Sequence, residues 1–470
     1  MTPSERLQAT YKKQYEASRK YAYPSIQERK DNLEKLAQVI DANRDRICDA
    51  IDKDFGGRSH NESTLLELVP LMGNIADAKK RLKRWSKPQR RHVGLAFKGA
   101  SNKLIPQPKG VIGVVTPWNY PLLLALGPVV SAMAAGNRCI VKQAANSQNL
   151  CRLLDEIISP VLDDTVLAVI PGTSAREFSS MPWDHMVFTG SAATGKVVME
   201  AASKNLTPVT LELGGKSPTI IAPDFDIRTA AERVTFTKFL NAGQTCVAPD
   251  YLFVPEGKVE EFVKHAKDIV GSRYDSVNNK DLTAIIDEAA FNRLTTTLAD
   301  AKEKGAECIN LLSGADSNTE GQKIAPHVVV NPTDDMIIMQ DEIFGPLFPI
   351  KTYKSLDDVV EYINERERPL ALYMFSNDKQ FQDKVFYSTL SGAVCINDSM
   401  FHVAQHDMPF GGIGNSGMGH YHGIEGFKEF SKLRPVFKQS SITSKIILML
   451  APPYGSLFKN VTDLMLKFRL

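Results

Sequence analysis

The chain has 470 residues, 43% of them hydrophobic and 23% charged, with a formal net charge of +2. That balance excludes a disordered or fibrous protein and gives no electrostatic case for binding nucleic acid. The length exceeds what one hydrophobic core serves, so two or three lobes are expected. The opening Met1-Thr2-Pro3-Ser4-Glu5-Arg6 holds no apolar signal segment, and no apolar run approaches the ~20 residues that span a bilayer. The six cysteines, Cys48, Cys139, Cys151, Cys246, Cys308 and Cys395, lie at spacings that suit neither a disulfide framework nor a zinc site. A reducing, cytoplasmic setting and no metal are therefore expected.

In chain order, Leu33, Leu36, Ile40, Ile47 and Ile51 recur at helical spacing between Lys30 and Phe55, and Gly56-Gly57 is the stop. A second helix is expected from Thr64 to Trp85, carrying Leu65, Leu66, Leu68, Leu71 and Met72, with the basic run Lys79 to Arg84 as its solvated end. From His92 to Pro108 the residues Gly94, Gly99, Pro106 and Pro108 punctuate an alternating pattern, which predicts a projecting hairpin. Gly110 to Val115 then reads as a buried strand, Leu122 to Ala135 as a buried helix and Arg138 to Lys142 as a second strand. A helix from Leu150 to Ile158, a strand from Val166 to Ile170 and a strand from His185 to Phe188 follow. This alternation predicts an α/β fold with a doubly wound parallel sheet, whose ligands bind beyond the carboxyl ends of its strands. Gly190 and Gly195 bracket a turn into the next helix where phosphate could rest on backbone N–H groups. The spacing is not Gly-x-Gly-x-x-Gly, so taken alone it is an ordinary glycine turn.

After a helix from Ala230 to Leu240 the pattern repeats as a second α/β lobe. Strands are expected at Tyr251 to Val254, Leu370 to Ser376 and Gly392 to Asp398, and helices at Val259 to Ile269, Asn292 to Lys304 and within Thr352 to Arg366. Phe427 to Phe437 can pair with the earlier hairpin. The ending combines Ile446 to Leu450 and Leu464 to Leu470 with Lys445, Lys459, Lys467 and Arg469. Such a basic, apolar tail can lie on a membrane surface or cover the groove of a partner subunit, and packing on protein is favoured.

Three stretches carry chemistry. Phe239 to Pro249 puts Cys246 behind Gly243 in an uncharged segment. A lone cysteine is more often a small buried hydrophobe than a nucleophile, and a working one needs a base or positive potential nearby. Thr210-Leu211-Glu212-Leu213-Gly214-Gly215-Lys216 sets a carboxylate in an apolar strand, either as a solvent-facing charge or as a general base whose pKa an apolar crevice raises. Thr116-Pro117-Trp118-Asn119-Tyr120-Pro121 holds one amide between two prolines, where it is a plain turn or a donor to an oxyanion.

Together these stretches, in this order and spacing, resemble the aldehyde dehydrogenase superfamily. The resemblance extends over Phe188-Thr189-Gly190-Ser191, Glu342-Ile343-Phe344-Gly345-Pro346 and Pro409-Phe410-Gly411-Gly412. The short N-terminus and Pro452-Pro453-Tyr454 resemble the class 3 branch, and Gly417 to Gly423 is similar to its bacterial coniferyl aldehyde dehydrogenases. The resemblance implies Cys246 as nucleophile through a thiohemiacetal and thioester, Glu212 as base for the hydrolytic water and Asn119 as oxyanion donor.

It further implies NAD and/or NADP as cofactor. Lys142 would meet the adenosine ribose, the turn of Gly190, Ser191 and Gly195 the pyrophosphate, and Glu342 the nicotinamide ribose, with Phe344 packing near the nicotinamide. Trp118 is counted with these cofactor residues, and Trp118, Tyr120 and Phe401 are read as able to line an apolar entrance. Asn397 is read as bracing the site. Many members carry Lys-Pro-x-Glu after the second strand, whereas this chain has Lys142-Gln143-Ala144-Ala145, and loss of that carboxylate points to use of NADP as well as NAD.

The implied domains are a dinucleotide-binding domain at 1–91 and 108–213, a catalytic domain at 214–415, oligomerisation strands at 92–107 and 427–445 that make a homodimer, and a tail at 446–470. The expected substrate is an aromatic or medium/long-chain aldehyde, coniferyl aldehyde among them. Two alternatives stand beside this. A CoA-acylating dehydrogenase is disfavoured by Glu212, and a non-catalytic structural relative by the joint presence of Asn119, Glu212 and Cys246.

Overall fold

The structure is a computed structural model that describes residues 1–448 and 450–468. Met449, Arg469 and Leu470 of the basic ending, and the side chains of Lys445 and Ile446, lie outside the described residues.

Runs of β-branched and apolar residues with no polar alternation can form strands only where both sheet faces are covered. Five such runs make the first sheet. Its order in space is Leu167–Val169, Arg138–Lys142, Val111–Val115, His185–Gly190 and Val209–Leu213, all parallel, with Gly417–Met418 antiparallel on the last edge. The strand order reverses between Val111–Val115 and His185–Gly190, so the turns leaving those two strands flank a crevice of the kind that binds ligands. Helix Leu123–Ala135 is buried over nearly its whole length and ends at Gly136, whose φ is +94°. Asn137 then locks three elements together. Its Oδ1 accepts from Gly110 N at 2.9 Å, and its Nδ2 donates to Ala132 O at 3.0 Å and Phe430 O at 2.9 Å.

Gly214 and Gly215 carry the chain from Leu213 into the second sheet. There the order is Glu307–Asn310, His327–Val330, Leu347–Tyr353, Tyr251–Pro255, Pro218–Ile221, Ala371–Phe375 and Ala393–Ile396, parallel except for Glu307–Asn310. Four of these strands, Pro218–Ile221, Glu307–Asn310, His327–Val330 and Leu347–Tyr353, escape the sequence reading.

A third sheet stands apart. Gln89–Arg91 pairs with Ser101–Pro108, which pairs antiparallel with Ser431–Lys438 from Ser431↔Pro108 to Lys438↔Ser101. The hairpin therefore begins ahead of His92, and its tip at Leu95–Phe97 is a short 3-10 turn. Phe427 does not join the strand, because Gly423–Glu429 is helical and buries Phe427 against Trp85 at 5.8 Å. The helical pattern from Lys30 to Phe55 resolves into Ile26–Ala42 and Arg44–Phe55, broken at Asn43. Among the described residues no helix is long and apolar enough to cross a membrane.

Candidate active site

Helix Ile227–Phe239 leads into three successive left-handed residues, Asn241 (φ 53°), Ala242 (φ 50°) and Gly243 (φ 75°). For non-glycine residues this conformation costs roughly 1–2 kcal/mol each, so the surroundings must impose it. They do so through buried hydrogen bonds. Asn241 N donates to Glu62 Oε1 at 2.6 Å, and Asn241 Nδ2 donates to Asn119 O at 3.0 Å and Gln244 O at 3.1 Å. Gln244 Nε2 donates to Ala284 O at 3.0 Å, and its Oε1 accepts from Ile286 N at 3.1 Å. Gly243 is sterically required as well. A Cβ there would lie 2.7 Å from the Gly345 carbonyl carbon and closer still to its oxygen.

The loop delivers Cys246, partly buried, to the wall of a cavity of about 360 Å³. Its lining is apolar, with Leu65, Leu66, Leu123, Leu124 and Met400 beside the aromatic groups of Tyr120, Phe236, Phe401, Phe410 and Tyr421. Burial pushes the Cys246 thiol up to about 12, and the Glu342 and Glu212 carboxyls add to that rise. The backbone N–H groups of Cys246 and Val247 act the other way. The sequence reading asks for a base or positive potential near this thiol, and among the described residues no cation is a leading influence on it.

Asn119 is 3% exposed and reaches the same loop, with Nδ2 donating to Gln244 O at 3.1 Å. Its carbonyl accepts from Arg58 Nη1 at 3.2 Å. Arg58 in turn pairs with Glu67 at 2.7 Å with both side chains fully buried, and Glu67 Oε2 accepts from Leu122 N at 2.6 Å and Leu123 N at 3.1 Å. The Asn119 turn is thus held from both sides by one ion pair. Next to it, Tyr120 OH and Thr245 Oγ1 are 2.6 Å apart.

Glu212 is 2% exposed, which excludes a solvent-facing charge, and neither carboxyl oxygen has a hydrogen-bond partner among the described residues. Leu211 and Leu213 pack on the opposite face of the strand, as alternation requires. Burial raises the Glu212 carboxyl well above the usual range, and the neighbouring Glu429 carboxylate raises it further. Glu429 itself accepts from Thr210 Oγ1 at 2.8 Å, two residues along the same strand face.

The other predicted residues gather on the carboxyl edge of the first sheet and across from it. Lys142 ends its strand half-buried, with no ion pair among the described residues and an ammonium whose pKa burial lowers. Ser191 caps helix Ala192–Ser203, accepting from Thr194 N at 3.3 Å, and Gly195 lets that helix close on Leu213, where a Cβ would lie 2.8 Å from Leu213 Cδ2. The Glu342 carboxyl sits over Gly214, where a Cβ would be 2.7 Å from Glu342 Cδ, and burial lifts it to about 8 with Asp250 adding to the rise. Lys216 fixes that segment, pairing with Asp250 at 2.5 Å and donating to Ile338 O at 2.9 Å and Asp341 O at 2.8 Å.

Phe344 holds a positive φ of 46° and meets Trp118 edge-on at 5.4 Å. Trp118 therefore does not line the cavity at Cys246, whereas Tyr120 and Phe401 do. Asn397 does not reach the cysteine loop through a hydrogen bond. Its Oδ1 accepts from Ser376 N at 2.8 Å and its Nδ2 donates to Asn377 Oδ1 at 3.2 Å.

These residues fit a polar dinucleotide. Thr116 Oγ1, Gln143 Oε1 and Thr189 Oγ1, at the carboxyl ends of three neighbouring strands, are buried without partners. Together with the unpaired Lys142 and the start of helix Ala192–Ser203 they present donors and acceptors where the strand order reverses. The supporting residues Arg58, Glu62, Glu67, Asn241 and Gln244 were missed in the sequence. Their signal is burial of charge, which a linear pattern does not carry.

With this geometry in hand, the chain belongs to the aldehyde dehydrogenase family, whose profile matches residues 2–436, and it is an NAD(P)-dependent aldehyde dehydrogenase. It is 45% identical to a probable coniferyl aldehyde dehydrogenase of Pseudomonas aeruginosa, over 98% of this chain and 96% of that one. It is 37% identical to human aldehyde dehydrogenase family 3 member B1, over 90% and 89% of the two chains. The substrate-bound AldH of Staphylococcus aureus superposes with a TM-score of 0.89 at 33% identity, covering 98% of this chain and 99% of that one.

Proposed function

We propose that this enzyme oxidises aromatic and medium/long-chain aldehydes, coniferyl aldehyde among them, to carboxylic acids, with Cys246 as nucleophile. The observation that carries the reading is a thiol at the wall of a cavity lined by aliphatic and aromatic groups, close to a buried carboxyl that has no partner among the described residues. The cavity's size and lining suit an aryl or alkyl chain, and the Pseudomonas relative carries coniferyl aldehyde in its name.

Cys246 as thiolate attacks the aldehyde carbon. The oxygen of the tetrahedral adduct takes hydrogen bonds from Asn119 Nδ2 and the Cys246 N–H, which act where charge develops. When bound, NAD(P) supplies the two-electron acceptor that turns this adduct into a thioester. Glu212 takes a proton from water as that water attacks the thioester carbon, and the Cys246 thiolate departs from the acid. Lys142, Gly190, Ser191 and Gly195 would hold the adenosine and pyrophosphate portions, and Glu342, Phe344 and Trp118 the nicotinamide end.

Rapid turnover of aryl aldehydes by wild type and none by Cys246→Ala is the expected result. Acyl-CoA formed in place of the acid when CoA is supplied, or Cys246→Ala retaining turnover, would overturn the assignment.

Ala145 stands where a carboxylate would repel a 2′-phosphate, which supports use of both NAD and NADP. Ala145→Glu should lower kcat/KM with NADP far more than with NAD, and a wild type inert with NADP would refute this. The free edge of Ser431–Lys438, with Val436 and Phe437 exposed, supports a homodimer formed through the three-stranded sheet. A monomeric mass in sedimentation would exclude it. Helix Ser456–Phe468 buries none of its residues, which leaves it free to dock on the partner copy of a cytoplasmic enzyme.

A further inference from the structure

Two buried polar groups, one on the cavity wall and one within electrostatic range of Cys246, lack partners among the described residues. Tyr421 is 1% exposed and lines the cavity, yet its hydroxyl makes no hydrogen bond, and both oxygens of Glu212 are in the same condition. The Tyr421 hydroxyl lies within electrostatic range of Glu212 and Cys246 alike. Buried donors and acceptors are nearly always satisfied by protein or by ordered water. Other hydroxyls on the same wall are satisfied by protein: Tyr120 with Thr245, and Thr237 with Ser399.

Nor can the Tyr421 ring swing away to find a partner. Its backbone is pinned by Tyr421 N→Phe410 O at 2.9 Å and Phe410 N→Tyr421 O at 2.8 Å, and its ring is edge-on to Phe410 at 5.7 Å and His422 at 4.8 Å. Behind it, a Cβ on Gly426 would lie 3.1 Å from the Tyr421 backbone, so the helix start closes the rear.

We propose that Tyr421 is a positioning residue for hydrolysis of the acyl-enzyme, its hydroxyl and the Glu212 carboxylate together holding the water that attacks the Cys246 thioester. The proposal rests on the reading of Cys246 and Glu212 given above. In this arrangement the Tyr421 O–H donates to the water oxygen and the water donates one hydrogen to Glu212. A lone pair of the water is left to form the new C–O bond. The proton passes to Glu212, the C–S bond breaks, and the thiolate leaves with its electron pair. Burial keeps the phenol protonated, so it orients the water and does not exchange its own proton.

Tyr421→Phe removes only the oxygen. Wild type, Tyr421→Phe and Cys246→Ala are each mixed rapidly with aldehyde and cofactor, and NAD(P)H is followed from the first turnover into the steady state. The expected Tyr421→Phe trace has a first turnover at the wild-type rate and a steady state about 10- to 100-fold slower, the worth of one hydrogen bond to charged or reacting groups. KM should not rise. The melting temperature should be unchanged or higher, because no hydrogen bond within the protein is lost.

A steady state within about threefold of wild type would overturn the proposal, as would a first turnover slowed as much as the steady state. A lowered melting temperature would also overturn it, by making the hydroxyl structural. If Cys246→Ala still gives a first turnover, the nucleophile assignment falls and this proposal with it. Silence from Cys246→Ala together with wild-type behaviour of Tyr421→Phe overturns only the role of Tyr421.

Discussion

Replacing Gly243 with alanine tests whether the cysteine loop is held in register by backbone contact. The added Cβ would lie 2.7 Å from the Gly345 carbonyl carbon, about 0.7 Å inside ordinary contact, and the opposing atoms are backbone that cannot rotate aside. The φ of +75° adds roughly 1–2 kcal/mol of strain for any residue with a Cβ, and the overlap adds about 1–3 kcal/mol more. Relief requires the loop that carries Cys246, or the segment that carries Glu342 and Phe344, to move by most of an ångström. A reacting group displaced by about 1 Å loses on the order of 10²-fold, so turnover should fall between about 10- and 100-fold.

Gly305→Ala separates strain from displacement, because Gly305 has φ +87° with nothing within 4 Å of the added atom. That variant should lose stability in urea but not turnover. The assay is steady-state kcat beside the urea midpoint for both variants. A Gly243→Ala enzyme within about threefold of wild-type kcat would refute the steric coupling.

Glu212→Gln should lose at least about 10²-fold in steady-state turnover while still releasing one equivalent of NAD(P)H per site, and loss of the first turnover as well would contradict a role confined to hydrolysis. Arg58→Met leaves Glu67 as a buried unpaired carboxylate and should cost about 3–5 kcal/mol in chemical denaturation, with Asn119 loosened and kcat lowered; a neutral variant would contradict the bracing described for that turn. Burial lowers the pKa of His185 to about 3 and of His402 and His422 to about 4, so all three are neutral in the folded state. Their contribution to stability is full above the unfolded value of 6.5 and is lost as pH falls towards 4, at up to about 1.4 kcal/mol per pH unit for each histidine. A denaturation midpoint flat across that window would show otherwise. Alkylation of Cys246 by iodoacetamide in the free enzyme should be slow at neutral pH and keep rising into the alkaline range, since burial pushes the thiol up to about 12; a plateau near neutral pH would require a cation the structure lacks among its described residues.

Strands such as Val111–Val115 and Arg138–Lys142 were legible because VIGVV and RCIVK are short apolar runs bounded by turns, and burial on both faces is the use for such runs. Helix Pro3–Lys20 was not. Its inward residues Leu7, Thr10, Gln14 and Ser18 have helical spacing but are mostly polar, and only the Thr2/Glu5 capping box marks its start. Strand Leu347–Tyr353 was hidden because Pro349 interrupts it and the helix after it has the stronger pattern. Within the site, the reactive residue types stood out in their stretches, whereas nothing in the sequence singled out Arg58 and Glu67. Only packing reveals that both are fully buried, because desolvation is a property of the assembled fold rather than of neighbours in sequence. Tyr421 was passed over for the same reason: an aromatic residue predicts burial, and only its surroundings reveal an unsatisfied hydroxyl.

The late strands have a consequence for how the chain is made. The edge of the first sheet at Glu212 is closed by Gly417–Met418, and Asn137 finds its partner in the Phe430 carbonyl. Ser101–Pro108 waits for Ser431–Lys438. During vectorial synthesis the first lobe therefore leaves the ribosome with an open strand edge and an Asn137 amide short of one of its three partners, and keeps both until nearly the whole second lobe has emerged. Closing loops of some 200 to 300 residues adds little to the equilibrium cost, since that cost grows only with the logarithm of length, but it places completion of the nucleotide sheet among the last events of folding. Glu212, the proposed base, would then acquire its buried surroundings last, and a chain released short of Gly417 would carry the thiol without the closed strand edge beside Glu212.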